Sequence, residues 1–263
     1  MIMRAVKDRL ANVEGDIGVV YIDLTSGKHF SFGNRKVFPS GGITMLMVMI
    51  ECFKAMEEGR ISRETAYRLK HSDMGDQFLY SLGVLQYLHE GIELTVEDLL
   101  NLMVTVSDNE ACNILIDILG KDQINRTFRE LGYEKMYIQR KIYDFEKMKQ
   151  GIDNFMSVED VASIFEKLYH GALISKEASE KMLALMTQHQ KTQIMPDLFK
   201  EKIMISHMTS IDDWEIADCG IIYAEKPFIL VMAASRVDSR KMEPIFRDIT
   251  KICYLKTQGT PHN

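Results

Sequence analysis

LTVEDLLNLMVTVSDNEACNILIDILG, residues 94–120, is two apolar helices with a polar break between them. In the first, Val96, Leu99, Leu100 and Met103 recur at the spacing of one helical face, and Thr95 followed by Asp98 is a capping start. In the second, residues 109–119, Cys112, Leu115, Ile116 and Leu119 share a face and Gly120 ends the helix. The break reads Val106-Ser107-Asp108-Asn109-Glu110. Ser-Asp-Asn ahead of a helix has a routine use as an N-cap with local hydrogen bonds. The alternative is a polar corner of a site, and only the company of other groups separates the two.

Upstream, FPSGGITMLMVMI (residues 38–50) turns from a loop into a helix that is apolar all round, with Cys52, Phe53, Ala55 and Met56 continuing it. Such a helix belongs in the middle of a domain. It is short for a membrane span, and Glu51, Lys54, Glu57 and Glu58 follow closely. Pro39 stops the preceding segment, while Ser40, Gly41 and Gly42 form a loop able to pass close to other groups. The exposed N–H groups of a helix start suit an anion or a developing oxyanion. Glycines that merely let a buried helix begin in a crowded place explain the same residues.

The 263 residues suffice for one large or two small domains, and 46% hydrophobic with 27% charged content is that of an ordinary soluble globular protein. A formal charge of −6 argues against nucleic acid or an anionic membrane as partner. Eighteen methionines suggest a deformable core or an adaptable apolar pocket. No apolar signal core precedes the first strand, so a cytoplasmic location is expected. Cys52, Cys112, Cys219 and Cys253 lie in apolar contexts without a C-x-x-C pair and read as buried free thiols. The seven histidines show no metal spacing, and neither metal nor cofactor is expected.

In chain order, a helix over roughly 2–13 precedes strands at 17–24 and 29–32, joined at Thr25-Ser26-Gly27. From 38 to about 190 nearly every segment reads as helix, including 122–131, a helix opened by Ser157-x-x-Asp160, and 176–186. Strands return at 203–207, 215–223 and 228–234. A final helix over 240–255 turns Ile245, Ile249, Ile252 and Cys253 inward and carries Pro244 in its first turn, and the tail after Lys256 reads as disordered. Strands at both ends around a helical middle imply an α+β fold. An antiparallel sheet is built from both termini (1–37 with 199–263), flanked by the terminal helices, with an inserted all-helical domain (38–198) and a cleft between the two.

The order and spacing of Phe38-Pro39, Ser107-Asp108-Asn109 and His207-Met208-Thr209-Ser210 resemble the class A β-lactamase and penicillin-recognising serine hydrolase superfamily. There a helix start F-P-x-x-S-x-x-K carries the nucleophile, an S-D-N loop follows, and a K-[TS]-G strand closes the pocket. Residues 94–120 resemble the family almost position for position, and the likeness runs from Gly18 to about Ser235. The resemblance implies a serine hydrolase fold with its cleft at the loop-to-helix start, Ser40–Gly42.

The catalytic positions depart from that pattern. Gly42 stands where the resemblance places the nucleophilic serine, and Met45 where it places the lysine. Met208-Thr209-Ser210 replaces the Lys-Thr/Ser-Gly strand. Glycine has no oxygen with which to attack a carbonyl, and methionine fills a lysine's volume without its charge or its proton. Arg140 fits the arginine that opens the family's next loop, but no glutamate falls at the deacylating position, for which Asp144 or Glu146 is an approximate substitute. Asn154 lies near where the family has an aspartate, which puts the arginine–carboxylate clamp in doubt.

Three functions follow. The first is a catalytically inactive homologue that binds a small molecule, a peptide or a protein partner in the former cleft. The backbone N–H groups of Gly42 and Ile211 occupy the family's oxyanion positions, and Ser107, Asn109, Thr209 and Ser210 supply hydrogen bonds beside Ser40 and Asp108. With Met45 and Met208 as floor, the expected ligand is neutral and partly apolar. The second is a metal-independent serine hydrolase with a relocated nucleophile, Ser107 ahead of Ser40 and Ser210, with His207 as base. The third is a scaffold without a working pocket.

Overall fold

The computed structural model describes residues 2–74, 82–199 and 203–259. Its sheet takes strands from both ends of the chain. β1 (Asp16–Asp23) and β2 (His29–Gly33) form the N-terminal hairpin. Two short pairs follow, β3 (Val37–Pro39) with β6 (Phe155–Ser157) and β4 (Ala66–Arg68) with β5 (Glu93–Thr95). β7 (Ile205–Asp212), β8 (Glu215–Ile222) and β9 (Phe228–Ser235) form a C-terminal meander. β1 pairs with β9 from Asp16↔Ser235 to Asp23↔Phe228, which gives the antiparallel order β2-β1-β9-β8-β7.

The period-2 alternation of these strands decides what each face meets. Val19, Tyr21, Leu230 and Met232 face α1 (Ile2–Leu10) and α9 (Ser239–Gln258), which contribute Val6, Leu10, Phe246 and Ile249 to one core. Val20, Ile22, Ile229 and Val231 face the helical layer. That layer is built around α2 (Thr44–Glu57), which is buried from Thr44 to Phe53 on every side, as its all-apolar sequence predicts. Around it lie α3 (Val96–Val106), α4 (Asn109–Leu119), α5 (Lys121–Glu130) and α8 (Lys176–Met186), while the short α6 (Phe145–Lys149) precedes α7 (Val158–Tyr169), which packs on the sheet.

Local signals place these helices well. The Thr95 hydroxyl accepts the Asp98 N–H at 3.1 Å and the Asp98 carboxylate accepts the Thr95 N–H at 2.8 Å. Asp108 caps α4 through the Ala111 N–H at 3.0 Å, and Ser157 caps α7. All four cysteines are buried and unpaired. Among the described residues, no helix is long and apolar enough to cross a membrane.

Several expectations change where distant contacts outweigh local pattern. The first helix ends at Leu10. β7 runs to Asp212, because the whole stretch Ile205–Asp212 pairs with β8, so the His207–Ser210 motif lies within the strand rather than at its end. The final helix starts at Ser239 under an Asp238 cap, which puts Pro244 in its second turn at a missing backbone hydrogen bond. Its buried face is Met242, Phe246, Ile249, Cys253 and Thr257, with Ile245 and Ile252 only half-buried flanks. That helix also continues through the start of the expected disordered tail, whose last residues, 260–263, lie outside the described residues.

One charge interrupts the apolar surround of α2. Glu51 is 0% exposed, its Oε1 meets the Arg60 guanidinium at 2.7 Å, and its Oε2 has no hydrogen-bond partner. Removing the cation strands a buried carboxylate. Arg60→Met is expected to lower unfolding free energy by about 3 kcal/mol, and Glu51→Met combined with Arg60→Met to recover most of it, in urea melts.

Candidate active-site cleft

The cleft opens where α2 begins, between the helical layer and the β7 edge of the sheet. The Gly41–Gly42 turn and Met45 form one wall, Ser107 and Asn109 at the α3–α4 junction a second, and Arg140 to Tyr143 with Met148 a third. Lys191 and the stretch Ser210–Glu215 close it. Its cavity volume is ≈ 40 Å³, room for water-sized guests, against about 300–1,000 Å³ for a typical ligand pocket. A larger ligand must sit partly in the mouth or move side chains.

Gly42 and Ser210 are fitted to each other. The Gly42 N–H donates to Ser210 Oγ at 2.8 Å, so a neutral hydroxyl fills the position from which that amide would meet a developing oxyanion. A Cβ on Gly42 would lie 3.3 Å from the Thr209 carbonyl oxygen and 3.4 Å from Ser210 Oγ. One on Gly41, whose φ is +45°, would lie 2.4 Å from the same hydroxyl. Ser210 Oγ therefore blocks a side chain at Gly41, whereas at Gly42 a Cβ would be tight against the Thr209 carbonyl and in ordinary contact with Ser210. The Thr209 N–H points away from β8, toward His189 Nε2 at 3.3 Å. By strand alternation the Ile211 N–H faces the same way, into the cleft that Ile211 lines. Met45 also lines the cleft and is only 1% exposed.

The other predicted residues divide sharply. Ser107 adopts a left-handed conformation (φ 56°) as the C-cap of α3, which turns the chain into α4. Ser107 is 2% and Asn109 4% exposed, both line the cleft, and Ser107 Oγ and Asn109 Nδ2 have no hydrogen-bond partner among the described residues. Asp108 is structural. Beyond capping α4 it accepts the Val84 and Leu85 N–H groups, and it sits so close to Gly83 that no Cβ fits there.

Ser40 turns away from the cleft and bonds Thr44 Oγ1 at 2.6 Å. Met208 is packed in the core under the helices and does not form the floor. Thr209 donates its hydroxyl to Asp218 at 3.0 Å, behind the strand, and does not line the cleft. His207 lies in that same buried cluster, 3.2 Å from Asp218 and in edge contact with His189, and does not serve the cleft as a base. His189 is pushed down to about 4 by burial and by neighbouring His207, which keeps its ring neutral as an acceptor. Asp144 caps α6 through the Lys147 N–H at 3.2 Å, and Glu146 pairs with Lys149 at the surface, so neither takes the place of a deacylating glutamate.

The doubted arginine clamp is present, one residue earlier than the motif alignment indicated. Arg140 Nη2 meets Asp153 Oδ1 at 2.6 Å and its Nε does so at 2.9 Å. Asn154 instead ties the loop to its base, accepting the Gln139 and Arg140 N–H groups and donating to the Arg140 carbonyl.

Lys191 and Glu215 line the cleft beside Arg140 and Asp212 and have no motif to mark them. Lys191 sits in a polar turn after α8, and only the fold brings it beside Ser107. Glu215 opens β8, where alternation alone hints that it points inward. Its carboxyl is pushed up to about 7 by burial and then by Asp153 and Asp212, with Arg140 opposing. The Lys191 amine is held below its ordinary value by burial, which Asp212 partly offsets. Among the described residues, no group of three or more His, Cys, Asp or Glu side chains could hold a metal.

A cleft set between a sheet of both termini and a helical insert, at the head of a buried helix, is the architecture of β-lactamases and penicillin-binding proteins. The chain matches the model of the β-lactamase enzyme family over residues 1–256 and belongs to that family. β-Lactamase CARB-3 of Pseudomonas aeruginosa is 24% identical over 181 residues, 67% of this chain and 60% of that one. The chain thus aligns with about 60% of the length of the curated relatives it matches. The solved structure of PBP-A superposes with a TM-score of 0.87 at 21% identity, covering 98% of this chain and 96% of that one. A β-lactamase from Sphaerobacter thermophilus DSM 20745 superposes at 0.86 with 25% identity, covering 98% and 97%.

Because Glu215 holds a proton in the folded state that the unfolded chain releases, its stabilising contribution is present at acid pH and lost as pH rises from 4.5 to about 7. Partial solvent contact tempers the effect. Glu215→Gln is expected to be more stable than the parent by about 2 kcal/mol at pH 8 and to match it near pH 5, in denaturant melts at both values.

Proposed function

We propose that this chain is a non-hydrolytic member of the β-lactamase family that uses the former active-site cleft to bind a small molecule, a peptide or a protein partner. The observation that carries the reading is the Gly42–Ser210 contact: the residue at the nucleophile position has no side chain, and its amide already has an acceptor at 2.8 Å. Met45 in place of the lysine removes the proton acceptor beside it. Loss of an activated nucleophile and its base removes factors of about a million in comparable serine hydrolases. The relatives named β-lactamases therefore share the fold with this chain, and on this reading they do not share its chemistry.

A second reading, a hydrolase with Ser107 as relocated nucleophile, draws support from Lys191, which lines the same cleft as the unpartnered Ser107 Oγ. Against it, the two make no hydrogen bond, and no group orients the amine. A scaffold without a working site accords with the small cavity. It leaves two buried polar atoms in the wall unexplained.

Intact-mass measurement after incubation with a reporter penicillin and a panel of activated esters tests the reading. No adduct is expected, and a covalent mass mapped to Ser107 or Ser210 would falsify it. Rebuilding the family's groups is expected to restore slow acylation only when Gly42→Ser and Met45→Lys are joined by Ser210→Gly. With Ser210 kept, its hydroxyl stays on the amide of position 42.

A further inference from the structure

A second cavity shares no residue with the cleft and lies at the end of the sheet where α1 begins and α9 finishes. Its volume is ≈ 950 Å³, against ≈ 40 Å³ for the cleft, and ligand pockets span roughly 300–1,000 Å³. Its floor belongs to the sheet face that α1 and α9 cover elsewhere. Tyr21 of β1 and Phe30 of β2 are register partners there, with their rings stacked 5.0 Å apart. The Tyr21 hydroxyl is tied to Thr257 Oγ1 at 2.7 Å, which leaves its ring to the groove. Ile2 and Met3 of α1 and Leu255 of α9 complete the apolar part, and Met3 and Leu255 are 42% and 46% exposed.

The groove's cations gather on one rigid unit. Lys28 ends the β1–β2 turn, Lys226 sits in the β8–β9 turn, and Lys256 lies in the last turn of α9. The Leu24 N–H donates to the Pro227 carbonyl at 3.0 Å, which joins the two turns. Gln258 grips the second turn: its Oε1 accepts the Lys226 N–H and its Nε2 donates to the Lys226 carbonyl, each at 2.9 Å. None of the three amines forms a hydrogen bond or ion pair with a described residue. Asp23 is the acid among the described lining residues, and its carboxylate accepts the Thr25 and Ser26 N–H groups at 2.9 and 3.0 Å. It attracts Lys28 only at longer range. His29 turns to Glu159 at 3.4 Å.

Surface lysines commonly lay an apolar stem on the protein and keep the charge in water, and Lys256 also answers the negative end of α9. That explains the charges one at a time. It does not explain why three of them, in a chain of net charge −6, surround a ligand-sized hollow with an apolar floor and exposed Met3 and Leu255 at its lip. A hollow with that division of surface is complementary to a molecule with one apolar and one anionic end.

We infer that this groove binds an amphipathic anion, an acyl or alkyl chain with an anionic head. The chain lies over Phe30, Ile2 and Leu255, and the head meets Lys28, Lys226 and Lys256. Met3 and Leu255 are flexible aliphatic side chains, which follow an extended chain more readily than a rigid ring system. The head is either a carboxylate or a phosphate monoester. The inference stands apart from the cleft and from whatever the cleft binds.

The test uses calorimetry and Tm shifts on the whole chain with decanoate, decyl phosphate, neutral decanamide and acetate, each below its aggregation concentration. One decyl anion per chain is expected to bind and to raise Tm, with decanamide and acetate weaker by about tenfold or more. Lys226→Glu combined with Lys256→Glu should weaken the anions by at least about tenfold, and the milder pair Lys226→Gln with Lys256→Gln should give an intermediate loss. Leu255→Asp should weaken them from the apolar side. Tighter binding of decyl phosphate than of decanoate identifies a phosphate monoester, and the reverse a fatty acid. Equal binding of decanoate and decanamide, binding that these substitutions leave unchanged, or no binding of either anion overturns the inference. Co-sedimentation with phosphatidylglycerol vesicles, or a dimer that Leu255→Asp dissociates, in a chain that binds neither decyl anion would assign the groove to a membrane surface or to a second copy and overturn it too.

Discussion

Helix α2 has no face it can leave in water, and the rest of the chain is arranged to cover it. Ten consecutive residues from Thr44 to Phe53 are buried, so α3, α4, α5 and α8 must pack around it. The sheet then closes the remaining side through α7. At about 25 cal/mol per Å² of apolar surface, such a helix is a dominant contributor to the core. It also helps place the site, because α2 meets the cleft at its start, through Met45 and the Gly41–Gly42 turn that precedes it.

That start has been rebuilt as a unit. Ser210 places its hydroxyl on the Gly42 amide, and the same hydroxyl leaves no room for a side chain at Gly41. Ser210 in the third motif and Gly41 in the first are therefore one structural solution. Around this unit, Arg140 clamps Asp153, Asp108 accepts the Val84 and Leu85 N–H groups, and Ser107 turns left-handed between α3 and α4.

Electrostatically, the cleft is lined by Met45, by Lys191 from the turn after α8, and by Glu215, whose carboxyl is pushed up to about 7. Burial is the leading cause at both Lys191 and Glu215. Each is held toward its uncharged form, so each responds to whatever charge enters. Ser107 and Asn109, whose Oγ and Nδ2 have no hydrogen-bond partner among the described residues, line the same cleft.

Much of this was legible in the residues. Capping pairs such as Thr95 with Asp98, the apolar faces of residues 96–119 and the alternation in β1, β8 and β9 are written in neighbours a few positions apart, and they gave the helices and the sheet nearly to the residue. The replaced nucleophile and lysine at Gly42 and Met45 were equally plain, because they are identities at fixed spacing. What depended on which face of a strand meets which neighbour was not legible. Thr209 and His207 turn to Asp218 behind β7, Met208 enters the core, and Ser40 bonds Thr44. Lys191 enters the cleft from a turn without periodicity and Glu215 from the first residue of β8, and Asp153 rather than its neighbour Asn154 takes the clamp, because bond vectors set by the folded loop choose between adjacent residues. Sequence alone determined the family and that Gly42 and Met45 stand at the motif positions, since both are carried by local pattern and side-chain identity. Only the tertiary structure decided which groups face the cleft, because that depends on contacts between residues as much as 168 positions apart, the separation of Gly42 and Ser210.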